Sequence, residues 1–307
     1  MKMNLRLVLA AAMVLSVSLI SCKKDRNTDT NTDLATHADD QNAVSSGTDD
    51  VANDANDVAG GFAAFGKVEG VTNLPCNATA TLDTVGTDKR ITVVYNGTNC
   101  QGTRNRVGTV ILTMPLSQHW GDVGAVLTIN TQSLVITRLV DNKSITINGS
   151  MTITNTSGGR VVLMGSGSSP IVHDITSPGI TVTFDNGSHR DWQVSKRRTF
   201  TYDNGIVIST IGTHSEGGSN NISEWGTNRF GNAFTASITD PMVIRQDCNW
   251  RLTSGQITHE GALGTAVATF GLDATGNPTT CPGTGHYYFK AVWTGNNGNV
   301  RTIIRPY

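Results

Sequence analysis

Acidic side chains are the first candidates for chemistry, because a glycoside hydrolase needs two carboxyl groups about 5–9.5 Å apart. The chain has four Glu residues: Glu69, Glu216, Glu224 and Glu260. Glu216 and Glu224 lie in a stretch rich in Gly and Asn that is typical of a loop beside a cleft, and Asp191 or Asp240 could complete a pair. A hydrolase acting on an extracellular glycan therefore stays open as the alternative function.

Other catalytic patterns are incomplete. Residues 165–169 read Gly-Ser-Gly-Ser-Ser and lack the G-x-S-x-G spacing of a nucleophile elbow. His259-Glu260 is not followed by the second His of the zinc-protease motif H-E-x-x-H. We therefore predict no catalytic residue, no metal and no cofactor.

Ligand recognition is the chemistry that the residues favour. Trp225, with Glu224 before it and Arg229 after it, lies among polar residues that predict an exposed loop, where an aromatic face would suit a sugar ring. Trp192 and Arg198 are further candidates for the ligand site. Packing in the core is the alternative for each Trp. Trp250 and Trp293 lie in strand-like sequence near cysteines, and we assign both to the core.

Charge excludes one class of partner. The formal net charge is −1, and binders of nucleic acid usually concentrate Lys and Arg on one face. The densest basic cluster is Lys196-Arg197-Arg198, which we interpret as a solvated face, with an anionic ligand as the alternative. We expect no nucleic-acid partner.

Most of the chain has the pattern of antiparallel strands, in which β-branched residues alternate with Thr or Ser between Gly and Asn turns. The fold class is therefore all-β, with a sandwich or jelly-roll arrangement. Asn148-Gly149 predicts a two-residue hairpin turn, and residues 185–187 and 203–205 predict further turns. The predicted strands are 89–95, 108–113, 144–147, 151–154, 180–184, 206–211 and 266–270.

The N-terminus carries a targeting signal. Lys2 and Arg6 precede an apolar run over residues 7–20, which is typical of a signal peptide and too short to span a bilayer. The Leu19-Ile20-Ser21-Cys22 that follows resembles the lipobox of bacterial lipoproteins, which implies cleavage before Cys22 and lipidation of its thiol. An ordinary secretory signal with an incidental Cys is the alternative.

A tether is predicted after Cys22. Residues 23–57 contain nine Asp against three basic residues and almost no large apolar side chain, so nothing offsets the entropy lost on ordering. A binding site for cations or basic partners is the alternative, and only residues 54–65 suggest a helix. The predicted organisation is a signal peptide at 1–21, a disordered acidic tether at 22–58 and a β-rich domain at 59–307.

Four cysteines remain after Cys22, in a compartment where disulfides form. We favour Cys76 with Cys100 and Cys248 with Cys281, because each pair closes a loop around a predicted β unit. The rival zinc site lacks the C-x₂₋₄-C spacing. Both regions share a C-x-G-T sequence and similar flanking strands, which suggests two β halves divided near 170–180, with coincidence as the alternative.

The run from Lys89 to Tyr95, then Cys100, Arg104 and Arg106, resembles a pattern of uncharacterised Bacteroidota lipoproteins: a strand, a Cys-Gly turn and Arg-x-Arg-x-Gly. The resemblance implies a β-rich lipoprotein and supplies no activity. We therefore expect a non-catalytic binding or structural module on the outer membrane, at the cell surface or the periplasmic face. Its expected partners are the membrane, through the lipid anchor, and a glycan or an envelope protein.

Overall fold

The computed structural model describes residues 26–62, 74–281 and 285–307, with side chains from residue 36 onward. One long helix, α1, spans Arg26–Gly61, and short 3₁₀ turns lie at Val161–Leu163 and Gln246–Cys248. The strands are β1 (Ala78–Val85), β2 (Asp88–Thr98), β3 (Arg104–Pro115), β4 (Ala125–Arg138), β5 (Ser144–Asn155), β6 (Ile171–Phe184), β7 (His189–Tyr202), β8 (Ile206–Gly212), β9 (His214–Glu216), β10 (Ser219–Thr227), β11 (Ala233–Arg245), β12 (Arg251–Gly261), β13 (Gly264–Leu272), β14 (Tyr288–Gly295) and β15 (Val300–Pro306).

These strands form one antiparallel sheet. Its order follows the chain from β1 to β7 and from β10 to β15, while β8 pairs with β7 and β11, and β9 pairs with β10. The all-β class is confirmed, whereas the sandwich or jelly-roll arrangement is not, because the strands form a single continuous sheet. The division suggested near 170–180 falls inside β6, which pairs with both β5 and β7.

All the predicted strands lie within strands of the sheet, and the turns at 185–187 and 203–205 are confirmed. The hairpin at Asn148-Gly149 is wrong, because β5 continues through it. Gly149 has φ +132°, and a Cβ there would lie 2.9 Å from the carbonyl oxygen of Gly179 on β6. Gly149 therefore allows two neighbouring strands to approach each other closely, and it does not form a turn.

One face of the sheet, which we call the inner face, supplies the core. Along β4, Leu127 and Ile129 are buried and the Thr128 between them is exposed, which is the two-residue period of a strand with one covered face. The same alternation of buried and accessible residues runs through β2, β3, β5, β6 and β7. Threonines account for much of the opposite, outer face.

Helix α1 covers the inner face, so the predicted disordered tether is wrong over the residues that the structure describes. Val44, Val51 and Val58 recur at seven-residue spacing and are at most 1% exposed. Each fully buried valine contributes on the order of 1.5–3 kcal/mol. Between 36 and 61 the exposed positions are Ala38, Asn42, Asn53 and Asp57. The helix is therefore buried on nearly all sides, although its composition is polar.

The sheet curves around α1. At one level of the helix, Ser46 contacts Arg104 on β3, and the adjacent Ser45 contacts Glu224 on β10. Five strand spacings separate β3 from β10 in the sheet, which is about 24 Å if it were flat. A helix with its side chains is about 10–12 Å wide. Both contacts therefore require the sheet to curl, and this curvature directs inner-face side chains toward one axis.

Candidate functional site

Four of the five predicted ligand residues lie on or beside the inner face and contact α1 or one another. Glu224 and Trp192 are each 1% exposed, and Arg198 is 5% exposed. Arg229, just after β10, is half-buried. The predicted exposed loop is wrong for Glu224, because residues 219–227 form β10, whereas Arg229 does lie in the turn after that strand.

Glu224 is the centre of this arrangement. Its Oε1 accepts from Lys196 Nζ at 2.6 Å and from Ser45 Oγ at 2.7 Å, and its Oε2 accepts from Trp192 Nε1 at 3.0 Å and from the Gln41 amide. Burial on its own would raise the pKa of Glu224, but Lys196 and the other donors lower that pKa to about 2. The carboxylate is therefore ionised and fully hydrogen-bonded.

Gln41 links this carboxylate to a second buried charge. Its amide donates to Glu224, and its carbonyl oxygen accepts from the guanidinium of Arg190. Arg190 is fully buried and lies 4.1 Å above the ring of Phe234. Burial lowers the pKa of Arg190 to about 10, against the opposing effect of Glu224. One glutamine of α1 thus joins charges from β7 and β10.

A run of cations on β7 faces the helix. Lys196 and Arg198 point inward, where Asp49 lies 2.8 Å from Arg198 and 3.5 Å from Lys196. Arg197, between them, points outward and pairs with Asp174 at 2.7 Å. The interpretation of this cluster as a solvated face is therefore right only for Arg197, since neighbouring strand residues face opposite sides.

The opposite wall of the curved sheet, formed by β2 and β3, also makes ion pairs with α1. Arg104 contacts Asp50, and Arg106 lies 2.5 Å from Asp54, which also accepts from the Tyr95 hydroxyl at 3.0 Å. Burial raises the pKa of Asp54, with Arg106 and Tyr95 opposing that rise. Acidic residues of α1 therefore meet basic residues of the sheet on both walls.

Near the N-terminal half of α1 the same chemistry surrounds a small cavity. Asp40 pairs with Arg229 at 2.5 Å, and Asp39 pairs with Arg138 at 2.7 Å and with Lys143 at 2.8 Å. The cavity has a volume of about 50 Å³. That volume admits a few water molecules and is far below the 300–1,000 Å³ of ordinary ligand pockets.

Two histidines, one from α1 and one from the sheet, contact each other. The Nε2 atoms of His37 on α1 and His259 on β12 are 2.8 Å apart, and the His259 ring stacks on Phe234. Burial lowers the pKa of His37 to about 4 and that of His259 to about 3, and Arg190 adds to both effects. Both rings are therefore neutral near pH 7.

Trp225 is the predicted ligand residue that faces away from α1. Its ring is half-buried and stacks on His214, with the centroids 4.1 Å apart and an angle of 14° between the planes. His214 also lies 3.5 Å from the exposed carboxylate of Glu216. This aromatic pair lies on strands rather than in the predicted loop. Its partly exposed aromatic face is of the kind that can stack on a ligand ring.

The arrangement of carboxylates does not favour hydrolysis by Glu216 and Glu224. Glu224 is buried and committed to four donors, whereas the Glu216 side chain is 66% exposed. A carboxyl group whose pKa is about 2 is poorly matched to proton transfer near neutral pH.

Two tryptophan assignments need correction. Trp250 is 50% exposed and has φ +58° after the 3₁₀ turn, so it is outside the core. Trp293 is only half-buried in β14.

Both favoured disulfides are present, joining Cys76 to Cys100 and Cys248 to Cys281. Asp247 lies beside the second pair, within 4.8 Å of both sulfurs. Those sulfurs are bonded to each other, so they offer no thiolate to a metal.

The predicted lipidation site, Cys22, lies outside the described residues, as does the predicted signal peptide. Within the described ranges, no helix is long and apolar enough to cross a bilayer.

Comparison with known proteins adds no relative. No protein-family model matches the chain, and no curated protein and no solved structure is significantly similar to it.

Proposed function

We propose that the protein is a lipid-anchored module of the outer membrane with a structural rather than a catalytic role, in which α1 holds the curved sheet close to its anchor. The observation that carries the proposal is the commitment of Glu224, Lys196, Arg198 and Arg229 to partners that include side chains of α1. Residues that would otherwise bind a ligand instead secure the segment that leads to Cys22.

The length of that segment supports close attachment. Three residues separate Cys22 from Arg26, where α1 begins. From Arg26 to His37, the first α1 residue seen to contact the sheet, the helix spans about 16 Å. A lipid on Cys22 would therefore keep the sheet near the membrane surface.

Fractionation of cells tests the anchor. Replacing Cys22→Ser should move the protein from the membrane pellet to the soluble fraction, because the acyl chains that bind the bilayer would be missing. Asp25→Asn, three residues away, is the matched control and should stay in the pellet. Retention of the Cys22→Ser protein in the membrane would contradict the proposal.

Protease accessibility identifies the side of the membrane. Since α1 is buried, cleavage within it would report unfolding, so a protease site belongs in the exposed loop at 165–169. Cleavage in intact cells would indicate the cell surface and external partners. Cleavage only after the outer membrane is opened would indicate the periplasmic face and envelope partners.

A binding role has one supporting observation, the stacked pair of Trp225 and His214 on the outer surface. A half-exposed aromatic ring beside an imidazole and a carboxylate would suit an envelope glycan. Trp225→Ala should abolish retention on immobilised peptidoglycan or polysaccharide, whereas Trp250→Ala, also at an accessible Trp, should not. Equal retention of both variants would remove this role.

A further inference from the structure

The C-terminal end of the sheet is a single layer. Along β13 every residue from Gly264 to Phe270 is half-exposed, and β12 and β14 show almost the same pattern. The strict alternation of β2 to β7 is lost here, and among the residues that the structure describes no second layer covers either face. The main contacts of β13 and β14 are with their neighbouring strands.

The inner face of this layer is apolar. His259, which contacts α1, is opposite Ala266, and Ala266 is opposite Trp293. The next row joins Ile257, Ala268, Ala291 and Ile303. Phe270 and Phe289 continue the face, with ring centroids 6.0 Å apart. We call these inner-face residues of β12 to β15 the C-terminal apolar face.

Two arginines border this face on the edge strand β15. Arg301 is opposite Trp293, and Arg305 is opposite Phe289, so both lie on the inner face, and both are exposed. Residues 251–307 contain four basic residues against two acidic ones, Glu260 and Asp273. Apolar and aromatic side chains next to arginine match the boundary between the acyl chains and the headgroups of an anionic bilayer.

The N-terminal half of α1 lies beside the start of this face. His37 of α1 contacts His259 at the start of the face, and α1 continues from His37 toward Cys22. The face extends three strands beyond β12, which is about 14 Å. A lipid on Cys22 would thus emerge within reach of the face.

A second copy of the chain fits the edge poorly. If β15 paired antiparallel with the β15 of another copy about Ile303, Arg301 would lie directly opposite Arg305. Like charges directly opposite are destabilising, and Pro306 lacks the backbone donor that such pairing needs.

We propose that the C-terminal apolar face docks on the surface of an anionic lipid bilayer, beside the Cys22 anchor. The inference rests on the proposed function, because the anchor brings the bilayer to the face. It assigns strands β12 to β15 a membrane contact of their own, in addition to the lipid.

A fluorescent label reports the contact. Ile303→Cys gives a unique thiol, since the four cysteines of the sheet are paired and Cys22 carries the lipid. Val123→Cys is the matched control, because Val123 is 74% exposed near Trp120, which contacts the C-terminal half of α1 through Asn56. Both lipidated proteins are inserted into vesicles of phosphatidylglycerol and phosphatidylcholine that contain brominated lipid.

The label at 303 should shift to shorter wavelength and lose about half of its emission to the bromines, because interfacial segments lie about 5–10 Å deep. The label at 123 should be unchanged. Arg301→Glu with Arg305→Glu should restore the emission of the 303 label while the protein still floats with the vesicles.

Equal emission from both labels on floating vesicles would overturn the docking and leave the anchor intact. The label at 303 could instead shift in wavelength without bromine quenching, by an amount that increases with protein density. That result would show that a second copy covers the face, and it would also overturn the proposed docking. Loss of flotation itself would instead count against the anchor.

Discussion

Lys196 and Glu224 form an ion pair inside the curved sheet, with Lys196 Nζ 2.6 Å from Glu224 Oε1 and both side chains at most 5% exposed. They come from neighbouring strands, β7 and β10, that are joined in register at Val194 and Glu224. Ser45 of α1 completes the contact by donating to the same oxygen. Helix and sheet therefore share one buried carboxylate.

Removing the cation of this pair should destabilise the protein strongly. Lys196→Met leaves the buried Glu224 without the cation that it contacts, whereas Asp49 keeps Arg198. Breaking a buried pair from one side costs about 3–5 kcal/mol. The free energy of unfolding from urea titration should fall by that amount.

Arg197→Met is the matched control, since Arg197 pairs with Asp174 on the outer face, where both groups are accessible to water. Exposed pairs contribute at most about 1 kcal/mol. Equal losses in the two variants would show that the interior pair has no special role.

The strands were predictable because their pattern is local. Ile145, Ile147 and the Thr146 between them show the two-residue period within a few residues. Helix α1 was predicted only at its end, over residues 54–61. The rest was missed because its stability depends on partners that lie far along the chain, such as Arg104 and Lys196. The spacing of Val44, Val51 and Val58 was the available signal, and it was obscured by the surrounding Asp and Asn.

The candidate site was predicted in part. Glu224, Trp192 and Arg198 do converge, but as part of an interior rather than of an exposed ligand site. Glu224 and Trp225 are adjacent, and adjacent residues of a strand point to opposite faces. Assigning residues 219–227 to a strand would therefore have separated the two. Their Gly- and Asn-rich neighbourhood indicated a loop instead.

The first disulfide should stabilise the sheet's N-terminal edge. Cys76 and Cys100 are 24 residues apart, and their bond encloses β1 and β2. Replacing both by Ser should lower the free energy of unfolding by about 3 kcal/mol, because the unfolded chain gains freedom. Urea titration measures the loss, and reduction of the double Ser variant should add no further loss at this site. A peptide map showing Cys76 joined elsewhere would contradict the pairing.

Gly47 packs closely against β4 and β5. A Cβ there would lie 3.2 Å from Ile136 Cδ1 and 3.4 Å from Ile145 Cδ1, so Gly47→Leu should push the helix away. Overpacking of this kind costs about 1–3 kcal/mol. Amide exchange across residues 40–58 should accelerate accordingly. Ala38→Leu, at an exposed position of the same helix, should leave the exchange unchanged, and similar exchange in both variants would contradict this packing.

Acid should weaken the contact between α1 and β12 through His37 and His259. Both pKa values are lowered by burial, to about 4 and about 3, so between pH 6.5 and those values the unfolded chain binds more protons than the folded one. The contribution of these neutral rings to the free energy of unfolding is therefore fully present above pH 6.5 and is lost as the pH falls toward 3. The midpoint of thermal unfolding should drop over that range.

Replacing both histidines by Gln removes this titration, so the drop in the unfolding midpoint from pH 7 to pH 4 should become smaller than in the wild type. His189→Gln is the control, because His189 is exposed on β7 and its loss should leave the wild-type drop. The pKa of Glu224 is instead lowered to about 2. Its contribution to the free energy of unfolding is therefore fully present above about pH 4.5 and decreases below that pH. A wild-type pH dependence in the double His variant would show that other groups cause the acid sensitivity.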